Sequence, residues 1–155
     1  DINETTNELY IGDTESKLTQ DGNIHIFDFD LKFINKYKHH LSEVSVIKIS
    51  NSGSLVASGD SKKNVFIWDA NTKEIQIDRF VYHTAKVFDI AWSNDDKFLI
   101  SGSLDRSIIL WNISEKTKVK IFSEVDNEVI YALTWTSDRE FICGGHSCVL
   151  KKFNI

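Results

Sequence analysis

Aromatic residues recur along this chain at a nearly fixed step, and that step limits the folds open to it. Phe27, Trp68, Trp111 and Phe153 are separated by 41, 43 and 42 residues, and each is followed by Asp or Asn. Gly59 and Gly102 keep the 43-residue step, as do His40 and His83. A period of about 40–45 residues describes a chain built from repeated units that bury their faces on one another. The unit from Val81 to Ile113 is the clearest. Its runs Val87–Trp92, Phe98–Ile100 and Ile108–Trp111 are separated by the polar turns Ser93–Lys97 and Ser103–Arg106. Runs this short and this well punctuated are strands, and their near-continuous apolar character suits strands covered on both faces.

A fourth strand per unit follows from the segments Glu74–Asp78 and Lys118–Ile121, which alternate charged and apolar residues as a rim strand with one wet face should. Four strands in each repeat of this length make the blade of a β-propeller. The expected fold is therefore all-β, a partial ring of about three and a half four-stranded blades at about 9–38, 40–80, 83–122 and 125–155. The last stops at its third strand. Asp1 to Glu8, polar and without periodicity, reads as a tail or the end of a loop. Closed propellers typically have about 4–8 blades, and an open arc leaves apolar surface at both ends. The expectation is a piece of a larger ring, its edges covered by missing blades or by another copy. The absence of Met and the start at Asp1 point the same way. The missing sequence is expected upstream, with Ile155 at or near the native C-terminus.

Composition narrows the function classes. At 155 residues, 41% hydrophobic and 26% charged, the chain can bury a core. No apolar run approaches the roughly 18–20 residues of a membrane span, and no signal-peptide pattern opens the chain. A net charge of −5 argues against a general nucleic-acid or acidic-membrane binder. Two cysteines, Cys143 and Cys148, make no disulfide framework and favour a reducing compartment. With His146 they lack the paired spacing of a structural zinc site. There is no Gly-rich phosphate loop, so no cofactor is expected.

The aromatic-Asp pairs and their spacing resemble the WD-repeat family, over nearly the whole chain. That resemblance implies a structural tetrad, which falls on His83, Ser101, Asp105 and Trp111 in the third blade. The chemistry is self-consistent. A buried Trp111 needs an acceptor for its indole N–H, Ser101 offers one and donates onward to His83, and His83 donates to Asp105. The same residue types could form a Ser-His-Asp triad, but Ser101 lies in an inner strand with no Gly-x-Ser-x-Gly elbow, so the structural role is preferred. The second blade offers His40, Ser58 and Trp68, with Lys62 where Asp105 stands. Asp60, two residues earlier, substitutes only if the turn reshapes. The fourth blade has Val125, Cys143, Ser147 and Phe153 at these places, and the first keeps Asp21 but has Phe27.

A finer resemblance rests on the strings Tyr82-His83-Thr84-Ala85-Lys86-Val87, Ala91-Trp92-Ser93 and Ser101-Gly102-Ser103-Leu104-Asp105. Gly59-Asp60-Ser61-Lys62-Lys63 and Gln20 to His25 follow the same pattern. These are similar to the last blades of the actin-interacting protein 1 family, with 14–19 as an insertion. The resemblance implies a non-catalytic scaffold that works with actin and cofilin in filament disassembly, cytoplasmic and cytoskeleton-associated. The alternative is a WD-repeat adaptor of another complex, such as a ubiquitin ligase or an RNA-processing assembly. Nucleic acid and membrane are not expected partners. Turns at one end of a propeller share a face, which would gather Lys62, Lys63, Thr84, Lys86 and Arg106 into a patch for an acidic partner such as actin, though ordinary solvated turns are the preferred explanation.

Overall fold

The computed structural model describes residues 1–13, 22–123, 129–146 and 149–155. Among the described residues, fifteen strands form four antiparallel sheets in chain order. The first sheet contains β1 (Ile2–Asn3), β2 (Glu8–Gly12), β3 (Ile24–Asp28) and β4 (Phe33–Tyr37). The second contains β5 (Val44–Ile49), β6 (Leu55–Asp60), β7 (Val65–Asp69) and β8 (Ile75–Phe80). The third contains β9 (Val87–Trp92), β10 (Phe98–Ser103), β11 (Ile108–Asn112) and β12 (Thr117–Phe122). The fourth has three strands, β13 (Ile130–Ser137), β14 (Glu140–Gly145) and β15 (Leu150–Asn154). This is a partial propeller arc of up-and-down blades, as the period predicts.

One expectation fails at the start of the chain. Residues 1–8 are not a tail: Ile2 and Asn3 pair with Leu9 and Glu8. Asn3 is buried, and its side chain accepts from the Thr5 and Thr6 N–H groups while donating to the Gly53 carbonyl at 2.8 Å. The polar residues that hid the strand from a periodicity test close its turn and dock it on the second blade. Two residues are too few to show a period.

Three cores lie between successive blades rather than within them. Tyr10, Ile24 and Ile26 of the first sheet pack with Val56 and Trp68 of the second. Ala57, Val65 and Ile67 of the second pack with Val87, Leu99 and Trp111 of the third. Ile100, Ile108 and Leu110 of the third pack with Ile130, Phe141 and Cys143 of the fourth. Two features repeat at each seam. A glycine in the second strand lets the next blade's inner strand approach: a Cβ at Gly12, Gly59 or Gly102 would meet Val44, Val87 or Ile130 at 2.9, 2.8 and 2.5 Å. At the outer edge, the last residue of each rim strand caps the aromatic of the following blade. Tyr37 meets Trp68 edge-on at 4.8 Å, Phe80 stacks on Trp111 at 4.1 Å, and Phe122 meets Phe153 at 5.2 Å.

The arc has two unlike ends. On the outward face of the first blade, Ile2, Leu9, Phe27 and Phe33 line up across all four strands. Ile2 and Phe33 are more than half exposed, at 55% and 58%. The outer edge of the fourth blade is β15, where Leu150 is exposed and Lys152 pairs with Glu140 at 2.7 Å.

Candidate functional site

Two buried polar networks sit at equivalent places in the second and third blades. In the third, β11 carries Trp111 inward and its Nε1–H donates to Ser101 Oγ of β10 at 2.9 Å. His83 Nε2 lies 2.8 Å from the same hydroxyl, and His83 Nδ1 lies 3.0 Å from Asp105 Oδ2. The assignment that satisfies every group has Ser101 donating to Nε2 and Nδ1–H donating to Asp105. Burial pushes the Asp105 carboxyl up, but bonds from His83, from the Ser107 hydroxyl and from the Thr84 N–H outweigh it and hold it far below the usual range.

In the second blade Trp68 Nε1–H donates to Ser58 Oγ at 3.3 Å, and His40 Nε2 lies 2.7 Å from that hydroxyl. The carboxylate is Asp60, whose Oδ2 lies 3.0 Å from His40 Nδ1. Burial of Asp60 raises its carboxyl, and His40 with the side chain and N–H of Asn64 more than reverse this. The turn does not reshape to admit it, contrary to expectation. Gly59 pairs with Val65 as Gly102 pairs with Ile108, and Lys63 and Arg106 both take a left-handed φ, 73° and 68°. The backbone is the same; the carboxylate enters from the end of β6 instead of from the turn, at the place Ser103 holds in the third blade.

Sequence reasoning missed Ser107 and Asn64, which stand at one place in the two hairpins. Ser107 Oγ donates to Asp105 Oδ1 and lies 3.1 Å from His83 Nδ1. Asn64 Nδ2 donates to Asp60 Oδ2 at 2.8 Å. The 43-residue step that exposed the His and Trp positions also relates these two. Neither serine reaches solvent: Ser101 and Ser58 are fully buried, so no substrate meets either hydroxyl. The work of the two networks is to tie two strands, the hairpin turn between them and the preceding loop into one blade.

Residues 31–69 and 75–112 match the family model described as WD domain, G-beta repeat. The chain belongs to the WD-repeat family. No curated protein matches it significantly. The matched segments take in the last strand of the first blade and most of the second and third, where the two networks of these WD repeats lie. Outside them the pattern thins. Asp21, Val125, Ser147 and Cys148 lie outside the described residues. Cys143 is packed in the apolar core of the last seam, and Phe153 is half-buried against Phe122 and Phe141. That blade is held by aromatic packing.

The rim residues gather at the end of the sheets that carries these turns. Ser61 N–H donates to Glu43 O and Leu104 N–H to Lys86 O, both at 2.9 Å, so each hairpin turn is fastened to the segment entering its inner strand. Lys62, Lys63, Thr84 and Arg106 are exposed. Lys86 is half-buried and pairs with Glu43 at 3.3 Å, which cancels its charge on this face. Among the described residues no three His, Cys, Asp or Glu side chains are placed to hold a metal ion.

Proposed function

We propose that this WD-repeat chain is a non-catalytic protein-interaction scaffold, and that it is the C-terminal part of an actin-interacting protein that works with cofilin in filament disassembly. The observation that carries the scaffold reading is the division of labour in the blades. The Ser, His and Asp side chains that could do chemistry are spent on sealed internal networks, whereas the turns beside them present Lys62, Lys63, Thr84 and Arg106 to solvent. The finer reading is supported by the ordered strings around His83, Ser101 and Gly59, and it carries with it a cytoplasmic, cytoskeleton-associated location.

The scaffold needs cover at its ends. Phe27 occupies in the first blade the place that Trp68, Trp111 and Phe153 occupy in the others, and those three each have an aromatic cap from the preceding blade. A further blade, from the same protein or from another copy, would supply the cap over Phe27.

Co-sedimentation of the protein with cofilin-decorated actin filaments tests the specific reading. Enrichment in the pellet and faster filament loss are expected, reduced by joint Lys86→Glu and Arg106→Glu substitution. Absence of both effects turns the reading to an adaptor of another complex, and unaltered disassembly by the charge-reversed variant removes these two residues from the contact.

A further inference from the structure

Beside the basic turns, the inner strands carry an aromatic pair that no blade network uses. Ser45, Phe88 and Tyr131 stand at one position, 43 residues apart, on β5, β9 and β13. Ser45 turns back onto its own seam and donates to the Gly59 and Val87 carbonyls. Phe88 and Tyr131 instead meet each other, edge to face at 5.1 Å. Tyr131 remains 48% exposed. The Lys86 ammonium lies 5.6 Å from the centre of the Phe88 ring, which links the aromatic pair to the Glu43–Lys86 ion pair and so to the rim.

The pair is held from behind. Asp89, the next residue after Phe88, accepts from its neighbour Ile90 N–H at 2.9 Å and from Leu133 N–H of the next blade at 2.7 Å. This bond sets β13 against β9 and fixes Tyr131 beside Phe88 before any partner arrives. Rigid, half-exposed aromatics of this kind lose little entropy on binding and dominate interface energies. At the same end of the sheets the Leu104 N–H donates to Lys86 O and the Ser61 N–H to Glu43 O. These bonds set beside the Glu43–Lys86 ion pair the hairpin turns bearing the exposed Leu104, Lys62 and Lys63, with Lys62 Nζ on the carbonyl of the exposed Leu41. An apolar centre with a basic rim selects a partner with the opposite arrangement of charge.

We propose that Phe88 and Tyr131 are the anchor of the interaction face and receive one apolar side chain from an acidic peptide segment, whose carboxylates meet Lys62 and Lys63. This rests on the scaffold reading and specifies what the face takes. A fluorescein-labelled nine-residue peptide, phenylalanine at its centre and alternating glutamate and serine on both sides, is titrated against the full chain with anisotropy as the readout. Binding is expected, and should weaken about tenfold or more with Tyr131→Ala. Tyr131→Phe should retain it, and thermal unfolding should show both variants folded. A peptide with serine at the centre should bind at least tenfold more weakly.

Equal binding of the serine-centred peptide, no binding of the phenylalanine-centred one, or preferential binding of an oligothymidine of equal length each overturns the proposal. Loss of binding in the Lys62→Glu, Lys63→Glu variant with none in Tyr131→Ala removes the aromatic anchor and leaves the basic rim standing. The co-sedimentation assay, read separately with Tyr131→Ala, distinguishes failure of the anchor from failure of the scaffold reading.

Discussion

The second and third blades are near-copies 43 residues apart, and they differ in where the carboxylate comes from. Asp105 sits in the turn with its side chain at the edge of solvent; Asp60 sits two positions earlier in the repeat and is wholly buried. Each nonetheless ends 3.0 Å from the Nδ1 of its histidine. Each also gathers further donors: Lys62 and Asn64 N–H groups on Asp60, Thr84 and Ser107 N–H groups on Asp105. The lesson is that the blade requires a charged acceptor at one point in space and is indifferent to which hairpin position delivers it. The backbone is fixed by ladder pairing and by the left-handed residue at Lys63 or Arg106, so the side chain is free to move within the repeat.

Relocating the carboxylate is the strongest way to break this equivalence. Asp60→Ala strands several donors in a buried site and is expected to cost about 3–5 kcal/mol in urea unfolding. Adding Lys62→Asp to Asp60→Ser copies the third blade and should restore most of that loss. A double variant as unstable as Asp60→Ala would show that the two arrangements are not interchangeable. The same carboxylates set the acid limb. Both are held below their unfolded values, so the stability they contribute is complete above the unfolded pKa of about 4 and is lost as pH falls through the folded value. Stability should therefore drop below about pH 4, and Asp105→Asn should flatten that drop.

The period, the strands and the His, Ser and Trp positions were legible because each leaves a mark every 43 residues. Asp60 was visible only as a substitute needing a new turn, since sequence spacing measures position along the chain and not reach across it. β1 was hidden by its length. The caps Tyr37, Phe80 and Phe122 keep steps of 43 and 42 residues, yet at the ends of strands they read as punctuation. The salt bridge between Lys73 and Glu8, joined by Tyr10 OH and Thr6, fastens the first two blades across 65 positions and leaves no periodic trace. Phe88 and Tyr131 disappear into apolar runs because composition does not tell which side of an inner strand meets solvent.

A second comparison lies in the indole bonds. Trp111 donates to Ser101 at 2.9 Å, whereas Trp68 reaches Ser58 at 3.3 Å, the longer end of a hydrogen bond. Trp→Phe removes the donor while keeping a ring in the seam, at an expected cost of about 1–3 kcal/mol. Trp111→Phe should be the costlier of the two, because Phe80 also stacks flat on its indole whereas Tyr37 meets Trp68 by an edge. Chemical unfolding of the two single variants decides it; an equal or reversed order would mean that the difference in geometry carries no energy.

The smallest expected difference concerns the residue closing each hairpin. Ser107 is buried and touches both the carboxylate and the histidine of its network, so Ser107→Ala removes a donor from Asp105 and opens a void beside His83 Nδ1. Asn64 is half-buried, and a solvent molecule can take the place of its Nδ2 donor on Asp60. Asn64→Ala should therefore cost about 0.5–1.5 kcal/mol, the net value of one ordinary hydrogen bond, and Ser107→Ala should exceed it. If Asn64→Ala proves the larger, the second blade depends on its side-chain amide to hold a carboxylate that enters from the strand, and the two hairpins are less alike in energy than in backbone.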